Sequence, residues 1–209
     1  MRTREEEVVN AFTHLLWSVL SILSFGVALF SPSYDSIDKI SILFMTCMSS
    51  WAFFSSFLYH AQNDTKYRNR SRVVDKSAIY LMIMGCGISL NISSPDAKMA
   101  AWSSILICLL GSACIVNLCI RKNTSESFSV FTYIMLGWLS AIPATGLLGH
   151  TIYNNTSTLW AIIAGGVCYS IGVVFYSRDN LKWNHTWWHI FVMAGYSLHL
   201  FAQLEALKM

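Results

Sequence analysis

The sequence predicts an all-α integral membrane protein with seven transmembrane helices. Charged residues make up 12% of the chain, which is about half of their share in a typical soluble domain, and the mean hydropathy is +0.49. Apolar runs of roughly 18 residues or more recur along the chain, and a run of that length predicts a membrane-spanning helix. The polar stretches between the runs are too short for a separate soluble domain, so we expect residues 1–209 to form one membrane domain.

Seven apolar segments follow one another, separated by short polar connections. The first is preceded by acidic residues and followed by no small-residue cleavage site, so we interpret it as a retained span. The most polar connection, residues 61–74, is predicted to be a loop. Because the connections are short, sequential helices should be antiparallel neighbours. The predicted spans cover residues 9–30, 40–60, 75–90, 99–120, 128–150, 159–176 and 187–206.

The distribution of Lys and Arg residues predicts the orientation of the chain. The N-terminal tail and the second, fourth and sixth loops together carry ten of these residues, whereas the opposite side carries three. Because Lys and Arg are enriched in cytoplasmic loops, we predict a cytoplasmic N-terminus and an external C-terminus. The short tails are typical of a bacterial protein, so we expect a multi-pass protein of the bacterial plasma membrane. The net charge of +3 gives no basis for nucleic-acid binding.

The seventh span begins with two histidines, His185 and His189, that are four residues apart. On an α-helix this spacing places both imidazoles on one face, which suits two ligands of a single metal ion. The predicted topology brings two further residues to the same membrane level: His60, at the inner end of the second span, and Asp75, at the start of the third. Three neutral imidazoles with an open position form a ligand set of catalytic zinc sites. The sequence therefore allows a three-histidine zinc site.

Two polar residues lie beside these histidines in the predicted arrangement. Ser56 is one helical turn before His60, so its hydroxyl faces the same way. Zinc lowers the pKa of a coordinated water to about 7, and Asp75 could accept the proton of that water or orient a ligand histidine. In the alternative interpretation the histidines form ordinary hydrogen bonds at the membrane interface. Asp75 then caps the third helix or pairs with Arg72.

The other histidines differ in their predicted depth. His150 is predicted at the outer face and cannot join the site. His199 is ten residues beyond His189, which places it about 15 Å deeper along the helix. His14 lies on the inner half of the first span and remains a candidate for the site, although we expect both His14 and His199 to form interhelical hydrogen bonds.

Short motifs in six of the spans form a recognisable set. They are Asn10-x-x-Thr13-His14, Ser56-x-x-x-His60, Asp75-Lys76-Ser77-Ala78-Ile79-Tyr80, Gly137-Trp138, Gly165-Gly166-x-x-Tyr169-x-x-Gly172 and His185-x-x-x-His189 with His199. With these motifs the chain resembles, over nearly its whole length, the hemolysin III family within the progestin and adipoQ receptor group, which includes the adiponectin receptors.

The resemblance implies both a fold and a site. It implies seven helices with the N-terminus inside, and zinc held by His60, His185 and His189 with Ser56 and Asp75 beside it. It also implies a relation to alkaline ceramidases and other membrane-embedded metal hydrolases. The chain departs from the family pattern after the aspartate, where lysine stands in place of the usual histidine or tyrosine, and this departure is expected to alter the charge near the metal.

Three functions remain open at this point. The first is a zinc-dependent hydrolase of a lipid amide or ester, with Asp75 as base, Ser56 as hydrogen-bond donor, and a membrane lipid or free fatty acid as partner. The second is a non-catalytic sensor or homeostasis protein with a structural zinc. The third is a pore-forming or cytolytic protein, against which the uncharged middles of the spans argue, because conducting pathways usually carry charges. The sequence specifies neither the substrate nor the oligomeric state.

Overall fold

A computed structural model describes residues 3–94, 96–121, 125–145 and 156–207. Within these residues the chain forms a bundle of seven α-helices and no strand, which confirms the predicted all-α class. The helices are α1 (Arg4–Phe30), α2 (Ser36–Ala61), α3 (Thr65–Ile92), α4 (Ala97–Arg121), α5 (Glu126–Thr145), α6 (Thr156–Tyr176) and α7 (Asn184–Ala206).

The first two helices begin earlier than their apolar runs predict because polar capping residues start them. At α1, the Thr3 side chain accepts a hydrogen bond from the backbone of Glu6, and the Glu6 carboxylate accepts one from the backbone of Thr3. Asp35 and Asp38 form the same reciprocal pair at the start of α2. Such capping boxes satisfy N–H groups that a helix otherwise leaves without partners. The polar first turns therefore extend both helices beyond their apolar runs.

The prediction of a loop over residues 61–74 is wrong for most of that segment. Asp64 accepts a hydrogen bond from the backbone N–H of Lys66 and caps α3, so residues 65–74 are already helical. The polarity of this segment indicates that the first turns of α3 are not in apolar surroundings. It does not indicate that the backbone of these residues is outside the helix. Asp75 therefore lies inside α3 and does not cap it.

Of the helices in the described part of the chain, five are long and apolar enough to cross a membrane: α1, α2, α3, α4 and α6. The apolar part of α5, Glu126–Ile142, is shorter, and the end of its predicted span, residues 146–150, lies outside the described residues. The prediction of an α-helical membrane protein with several spans is thus confirmed. Membrane crossing by α5 and α7, and the predicted orientation, stay predictions.

Helix α7 carries several polar side chains on faces that other helices cover. It packs against α1, α2, α3 and α6, and five of its polar side chains are buried: His185, Thr186, His189, His199 and Gln203. A helix shielded in this way can carry polar groups that find partners inside the bundle. Because of its position, α7 can contribute polar side chains to a site inside the bundle.

Gln203, near the end of α7, is fully buried and joins three segments. Its amide donates hydrogen bonds to Ser41 Oγ on α2 at 2.9 Å and to Ser93 Oγ after α3 at 3.0 Å. We expect Gln203→Leu to lower the free energy of unfolding by about 1 kcal/mol, since interhelical hydrogen bonds in membrane proteins contribute about 0.6 kcal/mol each. Thermal unfolding in detergent measures the change, with the exposed Phe201→Leu on the same helix as control. Equal midpoints for Gln203→Leu and Phe201→Leu would contradict the expectation.

Candidate metal centre

The three predicted metal ligands meet where α2 ends and α7 begins. His60 is the next-to-last residue of α2, His185 is the second residue of α7, and His189 follows one turn later. All three side chains are buried. Each can offer one ring nitrogen so that the three atoms lie within 4.8 Å of one another. The structure therefore brings together the residues that the sequence predicted to share one level.

The separation of the ring nitrogens fits a common metal ion. Nε2 of His60 lies 3.2 Å from Nε2 of His185. Two nitrogens bound to one zinc ion at 2.0–2.1 Å, with a tetrahedral angle between them, are about 3.4 Å apart. The same distance also fits a single N–H···N hydrogen bond between the two rings. An ion therefore fits between these nitrogens with only a small adjustment of the rings.

The orientation of the rings provides a second geometric test. A metal ion bound to an imidazole lies in the plane of the ring, because the nitrogen lone pair lies in that plane. The planes of His60 and His185 are inclined by 55°, those of His60 and His189 by 72°, and those of His185 and His189 by 58°. Planes inclined in this way intersect, so the three residues satisfy a requirement for binding one ion.

His14 fails the same test. Its ring stacks on His189 with the centroids 3.6 Å apart and the planes inclined by only 14°. Two nearly parallel planes at this separation cannot both contain the same ion, so His14 and His189 are not ligands of one metal. Among the described residues neither ring nitrogen of His14 has a hydrogen-bond partner, and the predicted interhelical hydrogen bond is therefore wrong for this residue.

The prediction of a hydrogen bond is confirmed for the deeper histidine. His199 Nε2 lies 3.2 Å from the carbonyl oxygen of Ile162 on α6. His150, predicted at the outer face, lies outside the described residues.

The stacked geometry of His14 makes a testable prediction. We expect His14→Phe to keep the full metal content of the protein, because phenylalanine retains a flat ring against His189 and His14 supplies no ligand. Metal analysis of the purified variant by mass spectrometry measures this content, with His189→Phe as the variant that should lose the ion. Loss of metal from His14→Phe to the level of His189→Phe would show that His14 is a ligand.

One carboxylate at the site was missed by the sequence reasoning. Glu7 Oε2 lies 2.5 Å from Nδ1 of His60, and its other oxygen pairs with Arg68. Glu7 sits one turn before Asn10 on the face of α1 that also carries His14. That spacing could have indicated it, but the N-terminal tail was not predicted to be helical.

Ser56 and Asp75 line the same cavity as the three histidines. Ser56 is buried one turn before His60, as its spacing predicts. The alternative role of Asp75 as the cap of α3 is wrong, since Asp64 caps that helix. Arg72 pairs with Glu126. The catalytic roles of Ser56 and Asp75 stay predictions.

The cavity that contains the site is large. Its volume is about 1740 Å³, whereas pockets for drug-sized ligands measure about 300–1,000 Å³. Along α3 its wall runs from Asp75 to Leu90, a distance of about 22 Å at the rise of an α-helix. The deep part of the wall is largely apolar and includes Met82, Ile83 and Val192. The cavity therefore has a polar end at the histidines and a long apolar interior.

Glu126 connects three helices at the polar end. Its carboxylate pairs with Arg72 and with Lys76, whose Nζ lies 2.8 Å away, and it accepts a hydrogen bond of 2.5 Å from the Tyr176 hydroxyl. These residues come from α3, α5 and α6. Lys76, the departure from the family pattern, is thus paired with Glu126, and the ring of Tyr176, which also bonds to Glu126, lies 5.6 Å from the ring of His185.

The fold and the site together define a class of protein. The chain is a helical membrane protein in which three buried histidines, from two helices, can hold a metal ion at the polar end of an interhelical cavity.

The particular family follows from comparison with known proteins. The model of the haemolysin-III related family matches residues 2–200, so the chain belongs to this family. It is 28% identical over 206 residues to the Hemolysin-3 homolog of Bacillus subtilis (strain 168), covering 98% of this chain and 95% of the relative. It is 26% identical over 205 residues to Hemolysin-3 of Bacillus cereus, covering 96% and 91%.

A more distant relative is a human protein. The chain is 24% identical over 206 residues to the Monocyte to macrophage differentiation factor of Homo sapiens, covering 94% of this chain and 82% of the relative. The family match and the apolar helices identify the chain as a multi-pass membrane protein, in agreement with the predicted location in a bacterial membrane.

Proposed function

We propose that this protein is a zinc-dependent hydrolase of a lipid amide or ester. The observation that carries the proposal is the convergence of His60, His185 and His189 at the polar end of a cavity long enough for an acyl chain. Among the described residues the group that could hold a metal consists of three histidines, and three histidines form the donor set of a catalytic zinc site with an open fourth position.

Each residue has a distinct role in the proposed reaction. The three histidines would hold the ion, and zinc bound there would act as a Lewis acid toward a carbonyl group and water. Asp75, in the cavity wall, accepts a proton at its carboxylate. Ser56 donates a hydrogen bond from its hydroxyl to the carbonyl oxygen of the substrate as negative charge develops there.

The apolar interior and the polar end of the cavity favour a lipid as the substrate. Its apolar interior would bind the acyl chain, while the scissile amide or ester would lie beside the histidines at the polar end. We place this end at the cytoplasmic leaflet, because Arg68, Arg72 and Lys182 lie there and basic residues favour the cytoplasmic side.

The test uses purified protein with a measured zinc content. We expect it to release fatty acid from at least one member of a panel of amide and ester lipids, detected by mass spectrometry. His60→Ala in the same detergent is the control for contaminating lipases. Release that does not exceed this control, from protein that holds stoichiometric zinc, would contradict the hydrolase proposal.

A structural metal is the second candidate, because the same three ligands join the end of α2 to the start of α7. In that case chelation of the ion would lower the thermal unfolding midpoint while the loaded protein turned over no lipid. The names of the two Bacillus relatives suggest membrane lysis as a third activity. Dye leakage from liposomes containing the protein, above the leakage of protein-free liposomes, would support it.

A further inference from the structure

Helix α1 provides none of the three histidines, yet it contacts both helices that do. Four side chains on one face of α1 each contact a residue that is a predicted ligand or lies near one. The contacts are Glu6 with the backbone N–H of Trp183 at 2.9 Å, Glu7 with His60 at 2.5 Å, Asn10 with the Thr186 hydroxyl at 2.6 Å, and His14 stacked on His189 at 3.6 Å. This face of α1 therefore lies against the whole site.

From these contacts we propose that Glu7 is a positioning residue. Glu7 holds the ring of His60 so that Nε2 of His60 faces the position of the proposed metal ion. The proposal rests on the metal site put forward above. A carboxylate only accepts hydrogen bonds, so the contact with Glu7 places the ring proton of His60 on Nδ1. The lone pair is then on Nε2, the atom that lies 3.2 Å from Nε2 of His185. One contact thus sets both the tautomer and the direction of the ring.

Glu7 is itself held in place. Its second oxygen pairs with Arg68, and the guanidinium of Arg68 also donates to the carbonyl oxygen of Gln62 at 3.0 Å and lies over the ring of Tyr59 at 4.8 Å. The side chain of Glu7 is 17% exposed and that of His60 is 0% exposed. An Arg68–Glu7–His60 chain therefore leads from the surface to the metal site.

A carboxylate on the distal nitrogen is a recurring feature of metal-binding histidines. It fixes the ring and makes the ligand nitrogen more basic, and loss of such a partner weakens metal binding by about 10–100-fold. An ordinary ion pair between helices would instead contribute only to folding. The two roles differ in whether substitution of Glu7 changes the affinity for the metal and the ligand field of the bound ion.

The experiment compares Glu7→Gln and Glu7→Ala with wild type, using full-length protein in detergent. Glu5→Gln is the matched control, since Glu5 is an exposed acidic residue two positions away on the same helix. Zinc affinity is measured by competition with a chromophoric chelator. We expect about tenfold weaker binding for Glu7→Gln, which can still accept a hydrogen bond, up to about 100-fold weaker binding for Glu7→Ala, and no change for Glu5→Gln.

A spectroscopic measurement separates positioning from a purely structural role. Cobalt(II) loaded in place of zinc reports the ligand field through its visible absorption bands, and we expect these bands to shift in Glu7→Gln at unchanged helical content. A lower yield of folded protein with wild-type affinity and spectrum would show that Glu7 is only structural and would overturn the proposal. Absence of metal binding by the wild type would instead refute the metal site itself, so the two failures are distinguishable.

Discussion

Replacing any one of His60, His185 and His189 with alanine should remove the metal from the purified protein. The wild type should hold about one zinc ion per chain, and each variant a small fraction of that, because two imidazoles from a three-histidine set leave a weak site. Metal bound only to the folded state also stabilises it, by about 2.7 kcal/mol when the free ion is at 100 times its dissociation constant. Metal analysis and thermal unfolding with and without added zinc measure both effects.

A matched control comes from the same helix. His199→Gln should retain the ion, because His199 lies ten residues beyond His189, and glutamine can still donate a hydrogen bond to the Ile162 carbonyl. If the three alanine variants and His199→Gln all kept stoichiometric zinc, the ion would lie elsewhere in the protein. A wild type that stays metal-free in zinc-replete medium would contradict the site directly.

Asp75→Asn should abolish most lipid hydrolysis while the metal remains bound. The asparagine amide has nearly the same size as the carboxylate but cannot accept a proton, and general base catalysis contributes about 10²–10⁴-fold to a rate. We therefore expect fatty-acid release to fall by at least about 100-fold. The measurement is the initial rate on the best amide or ester lipid found for the wild type, at equal zinc occupancy.

Asp179→Asn is the control for this variant, because Asp179 also lines the polar part of the cavity and changes the local charge by the same amount. It should keep the wild-type rate. Equal rates for Asp75→Asn and the wild type would rule out Asp75 as the proton acceptor. Loss of zinc from Asp75→Asn would instead indicate that Asp75 supports the metal.

The number and order of the helices in the described residues could be predicted because each contains a largely apolar run, and five of them are long and apolar enough to cross a bilayer. The same reasoning misjudged where helices begin. Residues 65–74 are polar and were predicted to form a loop, but Asp64 caps them as the first turns of α3. Hydropathy reports the surroundings of a segment, whereas capping side chains decide where its backbone becomes helical.

The proximity of the three histidines could be predicted because the rise of a helix converts sequence positions into depths, and these depths place His60, His185 and His189 at the same end of the bundle. The rotation of each helix about its axis was harder to predict from the sequence. The contact of Glu7 with His60 and that of Lys76 with Glu126 join side chains that are 53 and 50 residues apart in the chain. Such contacts depend on which face α1 and α5 turn inward, and a single sequence specifies this poorly.

The separation of the ligands along the chain has a consequence for biogenesis. His60 and His185 are 125 residues apart, and both ligands on α7 follow α6 in the chain. A chain arrested after α6 carries only one of the three histidines, so the proposed three-histidine site can form only after α7 has been synthesised. Metal loading would then report that α2 and α7 have both been inserted and packed together.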